Sequence, residues 1–302
     1  MDMDVYFIGL GKMGMGIAEN LRTHEGYAIY TYDKEKAITQ QARKKGFTSY
    51  TSLTELFRPS TQRRIVWVMV PAGDITEKVL ADCRQHLNPG DILIDAGNSK
   101  FTDSIKQHEL SLEKNIHFLD VGTSGGMSGA RHGACMMIGG DRSIFNEVEQ
   151  LFLDLCVPDG YLFAGEPGSG HYLKMVHNGI EYGMMQSIGE GFNLLHHSDF
   201  DFNMPEVARV FNHGSVIRSW LMELTENLFR ETLDFSEVAG IVPSSGEGQW
   251  TVEEALRKKV AIPVIAQSLM TRYASEDEEK YNEKVISLLR NQFGGHSWVK
   301  DE

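Results

Sequence analysis

"VYFIGLGKMGMG", residues 5–16, decides how the rest of the chain is read. A run of apolar residues, Val5 to Ile8, leads into Gly9, Gly11 and Gly14, and a helical pattern follows through Met13–Arg22. The spacing G-x-G-x-x-G is weakly specific by itself. Between a strand and a helix start it is the turn that binds a dinucleotide. Gly9 permits the tight turn, Gly11 lets the backbone approach a pyrophosphate, and Gly14 lets helix and strand pack closely. The phosphates would lie at the helix N-terminus, against its outward N–H groups and positive dipole end. Asp33 closes the next apolar run, 19 residues after Gly14. A carboxylate there accepts hydrogen bonds from ribose hydroxyls and repels a 2′-phosphate, so the expected coenzyme is NAD rather than NADP.

Working outward, the first half of the chain is punctuated by short apolar runs. They are Val5–Ile8, Tyr27–Tyr32, Ile65–Val70, Ile92–Asp95, Ile116–Val121, Met136–Ile138 and Tyr161–Phe163. Several are continuous rather than alternating, as in strands buried on both faces. Helical segments such as Lys34–Lys45 and Ile75–Cys83 lie between them. Strand and helix in alternation predict an α/β doubly wound parallel sheet of the Rossmann type. From Tyr172 onward the patterns are helical, as in Pro205–Phe211, Ile217–Arg230, Val252–Val260 and Glu279–Asn291. The change falls at "GEPGSG", residues 165–170, a turn-rich joint. The expected organisation is a dinucleotide domain over 1–168 and an all-α domain over 169–302 for substrate and oligomerisation.

Composition narrows the function. The formal net charge is −13 over 302 residues, which argues against nucleic acid and anionic membranes as partners. Cys83, Cys135 and Cys156 are far apart and form no C-x-x-C pair, as expected of free thiols in a reducing compartment. The acidic start "MDMD" lacks the basic region of a signal peptide, and no apolar run is long enough to span a bilayer. A cytoplasmic location is expected. "HHSDFD", residues 196–201, reads as a helix end and a loop, because adjacent histidines diverge on a helix and chelate poorly together.

Two further glycine-rich loops leave strand ends, where open parallel sheets bind ligands. "DILIDAGNS" delivers Asn98 and Ser99, and "FLDVGTSGGMSGARHGA" delivers Thr123, Ser124, Gly125 and Gly126. Gly122–Gly126 also fits G-x-S-x-G, the nucleophile elbow of serine hydrolases. That elbow needs a strand followed at once by a helix, whereas more glycines and the strand-like "ACMMIGG" follow here, so the hydrolase reading is set aside. "GHYLKMVHNGIEYG", residues 170–183, is a helix whose Lys174, His177, Asn178 and Glu181 fall within an arc of about 100°. Leu173, Met175, Val176 and Ile180 occupy the rest of the wheel, the side expected to pack on the core. Gly179 and Gly183 would allow close helix approach. Beside a coenzyme, a buried Lys174 would serve as a base and Glu181 as an acid.

"GTSGG…GA", "GHYLKMVHNGIEYG", "GEGQWT" and "RNQFGGH" together resemble the 6-phosphogluconate dehydrogenase family of the β-hydroxyacid dehydrogenase superfamily. The resemblance covers essentially the whole chain and is to the short, NAD-preferring form. It implies metal-independent oxidative decarboxylation of 6-phosphogluconate to ribulose 5-phosphate and carbon dioxide. By this resemblance Lys174 is the base at the C3 hydroxyl and Glu181 the acid that protonates C1, with His177 and Asn178 beside them. The coenzyme set is Gly9, Leu10, Gly11, Met13, Gly14, Asp33, Val70 and Asn98. The substrate set is Asn98, Ser124, Gly125, Gly126, His177, Asn178, Tyr182 and Arg272, with Arg290 and His296 supplied by a partner subunit. That implies a homodimer or homotetramer. Longer relatives carry a lysine, a threonine and a second lysine where Ser245, Glu247 and Gln249 stand here, a departure at the expected phosphate site. NADP-using relatives place an arginine at Asp33. A 3-hydroxyisobutyrate dehydrogenase is the nearest rival reading; Glu181, Tyr182 and the Arg290…His296 tail favour the sugar acid over it.

Overall fold

The computed structural model describes residues 3–58, 62–231 and 235–300. Eight strands form one sheet: β1 (Met3–Ile8), β2 (Tyr27–Tyr32), β3 (Thr48–Tyr50), β4 (Arg64–Val68), β5 (Ile92–Asp95), β6 (His117–Ser124), β7 (Ala134–Gly140) and β8 (Cys156–Gly165). Their order across the sheet is β3-β2-β1-β4-β5-β6-β7-β8. Between them run α1 (Lys12–Leu21), α2 (Lys36–Lys44), α3 (Leu53–Leu56), α4 (Asp74–His86), α5 (Phe101–Leu112), α6 (Gly126–His132) and α7 (Arg142–Leu155). The continuous apolar runs have a plain cause. Val5 and Phe7 of β1 enter one core with Ile65, Trp67, Ile17 and Leu21, while Tyr6 and Ile8 enter another with Val66, Val68, Leu80 and Leu93. The central strands β4 and β5 are buried along their whole length, on both faces, so alternation disappears there.

The sheet is parallel from β3 to β6, but β6 and β7 pair antiparallel, Leu119 to Gly140 through Ser124 to Cys135. The sheet is otherwise the parallel, doubly wound one expected, and β7 returns to parallel pairing with β8. The connection explains the reversal: α6 has only seven residues, too few for the crossover that parallel neighbours need. β3 was missed because it is a polar three-residue strand, paired through Tyr30 to Thr48. At the other end of the sheet, β1 lies between β2 and β4, the switch point where open sheets bind ligands.

The remaining helices are α8 (Ser169–His196), α9 (Met204–Asn212), α10 (Trp220–Arg230), α11 (Gly246–Lys258), α12 (Pro263–Glu276) and α13 (Tyr281–Gly294). α10 begins three residues later than its periodicity predicts, because the Ser219 side chain accepts from the Met222 N–H and caps it there. α11 begins earlier, its first turn hidden in the sequence by Gly246 and Gly248. α8 starts at the turn-rich joint, yet the chain divides into compact units at Asn178/Gly179. The first turns of α8 belong to the first unit because they sit directly on β6 and β7. A Cβ on Gly170 would lie 2.5 Å from both the Asp120 and Met137 carbonyl oxygens. One on Gly139 would lie 2.7 Å from the Gly170 nitrogen, and one on Gly122 would collide with the Lys174 side chain.

The second unit has a small core of its own, Phe192, Ala208 and Met222, flanked by Ile188, Leu195, Phe211 and Phe229. No helix among the described residues is long and apolar enough to cross a membrane. Helix propensity favours Ala over Gly by about 1 kcal/mol. Gly170→Ala is nevertheless expected to destabilise the protein by about 1–3 kcal/mol, because the added methyl must displace two backbone carbonyls. Urea unfolding with an unchanged m-value measures this, and a neutral or stabilised variant would refute the close seat of α8.

Candidate active site

At the first glycine loop, Gly9 adopts φ +89°, and a Cβ on it would strike the Met69 carbonyl and Val70. A Cβ on Gly14 would strike the Gly9 carbonyl, whereas one on Gly11 would meet nothing within 4 Å. The first and third glycines are therefore required by packing. The second leaves open backbone at the start of α1, which is where a pyrophosphate needs to approach. Leu10 is buried, Met13 and Val70 are half-buried, and all three belong to this turn or the one facing it.

Asp33 has a second task that its position alone does not reveal. Its Oδ2 accepts from the Leu10 N–H at 2.7 Å, and its Oδ1 accepts from the Glu35 N–H at 2.8 Å. The carboxylate thus ties the glycine loop to the end of β2. Each oxygen keeps a second lone pair that a ribose hydroxyl can use.

The helical stripe is not a wet face. Lys174 is 6% exposed and Asn178 9% exposed. Lys174 Nζ donates to Asn178 Oδ1 at 2.8 Å, and His177 Nδ1 lies 3.0 Å from the same oxygen. An amide oxygen only accepts, so His177 carries its proton on Nδ1. Its Nε2 then accepts from Ser124 Oγ, 3.2 Å away. Ser124, His177, Asn178 and Lys174 form one bonded chain between the end of β6 and α8. A buried, oriented amine is suited to act as a base.

The opposite side of α8 departs from expectation. Met175 is buried, but Leu173 and Val176 are half-buried and Ile180 is 53% exposed. Lys174 and Asn178 are buried within the first unit, while Leu173 and Val176 on the apolar side are only partly covered. Gly179 behaves as expected within the second unit: a Cβ there would lie 2.8 Å from Thr251 Cγ2. A Cβ on Gly183 would lie 3.3 Å from Val264 Cγ1. Glu181 is half-buried, two helical turns on from Lys174.

The context argument against a hydrolase elbow also needs correction, since β6 is followed at once by α6. Ser124 even has a histidine partner. What excludes the elbow is its backbone. The nucleophile of an elbow sits on a sharp, strained turn. Ser124 is the last residue of a regular strand and is not among the positive-φ residues; the left-handed conformations fall on Gly125 and Gly126.

Within the second unit, Tyr182 is 4% exposed and its hydroxyl accepts from the Ser245 N–H at 2.9 Å. The same hydroxyl lies 2.9 Å from Ser245 Oγ. The Arg272 guanidinium stacks on the Tyr182 ring, 3.5 Å from its centroid, and donates to the Pro243 carbonyl. Gly248 is a glycine because the Tyr182 ring fills the space its side chain would need. Ser245 and Glu247, which replace the lysine and threonine of longer relatives, stand at the start of α11, Glu247 being buried. Asn98 and Gly126 are exposed and Gly125 is half-buried at their strand ends. Arg290 is exposed on α13, and His296 lies in the tail beyond it, its carbonyl accepting from the Asn291 side chain.

Three residues escaped the sequence reading: Asp95, Asp120 and His171. Asp95, at the end of β5, and Asp120, in the middle of β6, are 1% and 0% exposed, and His171 is 1% exposed one turn before Lys174. A carboxylate closing an apolar run was the available signal, in "LIDAG" and "FLDVG". His171 falls just outside the arc of the stripe. No group of three or more potential metal ligands clusters among the described residues.

Residues 4–157 match the family described as the NAD binding domain of 6-phosphogluconate dehydrogenase, and residues 170–299 match its C-terminal domain. The chain is 51% identical over 300 residues to the Bacillus subtilis (strain 168) protein YqeC, whose name gives it as a candidate 6-phosphogluconate dehydrogenase; the match covers 99% of this chain and 100% of that one. It is 38% identical over 302 residues to the NAD(+)-dependent, decarboxylating 6-phosphogluconate dehydrogenase of Haloferax volcanii, covering 99% and 100% respectively. Among solved structures, the Plasmodium falciparum 6-phosphogluconate dehydrogenase superposes with a TM-score of 0.83 at 27% identity, covering 100% of this chain and 66% of that one. A Salmonella typhimurium 3-hydroxyisobutyrate dehydrogenase superposes at 0.75 with 19% identity over 92% of this chain and 95% of its own, which shows the shared fold alone.

The Asp33 tie can be tested directly. Asp33→Ala leaves the Leu10 N–H without its acceptor, a loss of about 1–3 kcal/mol. NADH affinity, followed by fluorescence titration, is expected to fall at least about tenfold, which corresponds to about 1.4 kcal/mol. Unchanged affinity would show that Asp33 neither shapes the loop nor meets the ribose.

Proposed function

The chain belongs to the 6-phosphogluconate dehydrogenase family, whose members are decarboxylating oxidoreductases, and on that premise we propose that it oxidises 6-phosphogluconate with NAD, using Lys174 as base and Glu181 as acid. The observation that carries the reading is the bonded chain of Ser124, His177, Asn178 and Lys174, which supports a buried amine poised for proton transfer.

The coenzyme loop suits a dinucleotide: open backbone at Gly11, a fixed turn at Gly9, and spare acceptor capacity on Asp33. NAD, when bound, supplies the hydride acceptor. Lys174 takes the proton of the C3 hydroxyl as the hydride leaves C3, giving the 3-keto acid. Asn178 keeps the amine oriented. Loss of carbon dioxide leaves an enediol, and Glu181 delivers the proton that C1 then needs. Ser124 and His177 supply a hydroxyl and a ring nitrogen to bind and orient the sugar acid. Tyr182, Arg272 and Ser245 are proposed for the phosphate. The guanidinium stacked on the ring presents bidentate donors in an otherwise acidic protein. Asp33 favours NAD, since a 2′-phosphate would meet a carboxylate.

We also infer self-association. Val285, Ile286, Leu288, Leu289 and Phe293 of α13 are 39–79% exposed, and α13 buries no residue in its own chain. Val264 and Met270 of α12 and Leu224 and Leu228 of α10 are exposed as well. Two grooves of about 790 and 780 Å³ in the second unit are lined mostly by apolar side chains. An amphipathic helix without a core of its own, together with apolar grooves elsewhere in the unit, calls for a second copy of the chain. Such a copy would bring Arg290 and His296 with it.

Spectrophotometric assays with 6-phosphogluconate are expected to produce NADH with a higher kcat/KM than NADPH. No reduced coenzyme with either would refute the activity, and preference for NADP would refute the role of Asp33. Lys174→Met is expected to abolish turnover while NADH still binds, and Glu181→Gln to slow it by about 10²–10⁴-fold. Near-wild-type turnover in either would refute that residue's role. Light scattering is expected to give a dimer or tetramer for the wild type and dissociation for Leu289→Glu. A monomeric wild type would refute the association.

A further inference from the structure

His171 touches neither of the groups proposed to react, yet it stands between the loop that carries Asn98 and the turn of α8 that precedes Lys174. Its ring is buried within the first unit. Nε2 lies 3.0 Å from the Gly97 carbonyl, and Nδ1 lies 2.6 Å from Ser104 Oγ on α5. Its backbone N–H donates to Asp120 Oδ2 at 2.9 Å, while Asp120 Oδ1 accepts from the Gly168 N–H at 2.7 Å. On the far side of Gly97, Asp95 holds the same loop: Oδ1 accepts from the Gly97 N–H at 3.1 Å and Oδ2 from Ser99 Oγ at 2.7 Å.

A carbonyl oxygen only accepts, so Nε2 carries the ring proton. With Nδ1 bare, the one Ser104 hydroxyl proton goes to it at 2.6 Å rather than to the Lys100 carbonyl, which lies 3.4 Å from the same oxygen. Every polar atom of the ring is used, which makes it a directional brace rather than a space filler. It ties the loop that presents Asn98 to the turn of α8 that precedes Lys174.

We propose that His171 is a positioning residue, an Nε2–H brace that fixes the Asn98 loop against the Lys174 helix. The role rests on the dehydrogenase reading, because Asn98 and Lys174 have work to coordinate only there. Gly97 is held by Asp95 below and His171 above, so its neighbour Asn98 has little freedom. A shift of about 1 Å between groups that must meet one substrate costs up to about 10²-fold in rate.

Glutamine places an amide N–H near the position of Nε2, and asparagine places its amide near that of Nδ1. His171→Gln therefore keeps the bond to Gly97 and gives up Ser104, while His171→Asn does the reverse. Steady-state kinetics with 6-phosphogluconate and NAD are expected to show kcat lowered about 10–100-fold in His171→Asn and His171→Ala, with KM for NAD within about threefold. His171→Gln should recover kcat to within about fivefold of wild type at a melting temperature matching His171→Asn. Equal kcat in the Gln and Asn variants, or an undiminished Ala variant, overturns the brace while leaving the dehydrogenase reading intact. A wild type that forms no NADH overturns that reading instead. The ring is judged separately by a long-range ¹H–¹⁵N spectrum of histidine-labelled wild-type protein. Nitrogen shifts with Nε2 protonated and Nδ1 bare support the brace, and the opposite tautomer overturns it, whatever the variants' folding.

Discussion

The site depends on one contact, the seating of the first turns of α8 on the bare backbone of β6 and β7. Gly122, Gly139 and Gly170 bring peptide groups together without a Cβ between them. Asp120 completes the seat from below, its two oxygens accepting from the Gly168 and His171 N–H groups. These lie where α8 begins, so a buried carboxylate satisfies donors that a helix start otherwise leaves unpaired, and it meets the positive end of the dipole. One turn later Lys174 is delivered to a nearly dry position. Neither the glycines nor the aspartate reacts with anything, yet the lysine would stand in water without them.

Burying polar groups this densely is stable only when nearly all are partnered, since each orphan costs about 1–3 kcal/mol. Around α8 the first unit leaves two buried hydroxyls without a partner, Thr123 Oγ1 and Ser169 Oγ, and otherwise meets the condition through acceptor groups that each take two donors. Asn178 Oδ1 takes both Lys174 and His177, and the Asp95 carboxylate takes Gly97 and Ser99. Acceptors with two lone pairs let short loops converge without added side chains. The histidine tautomers follow from the same accounting, opposite at the two positions: Nδ1–H at His177 and Nε2–H at His171. Each is dictated by an oxygen that cannot donate.

Local patterns made the coenzyme loop, the order of strands and helices and the stripe on α8 legible in the sequence. Each rests on a period or a spacing within about 20 residues. What stayed hidden depends on contacts between distant segments. The reversal of β7 turns on the length of α6, which no periodicity reports. The start of α11 was obscured by glycines, and Gly248 is a glycine because of Tyr182, 66 residues earlier. Asp33 was read as a ribose acceptor from its place after β2, but its bond to Leu10 joins two loops. His171 lies inside the same segment as the stripe, residues 170–183. It was passed over because it sits beside the stripe, and its partners come from β5, α5 and β6.

The two units solve the same problem differently. In the first, strands such as β4 are buried along their whole length, and two large clusters of hydrophobic residues have their cover within the chain. In the second, three buried residues anchor the core, while α13 has no buried residue at all. A helix of 14 residues is marginal in water without packing. With α13 covered by a second copy, as proposed, the stability of that helix becomes a function of protein concentration. Arg290 lies on α13 and His296 just past it, so the cations expected to complete a neighbouring site would be ordered by the association that brings them there. Folding of the last helix, assembly and completion of the anion pocket then become one equilibrium, driven by the apolar side of a helix whose polar residues do the binding.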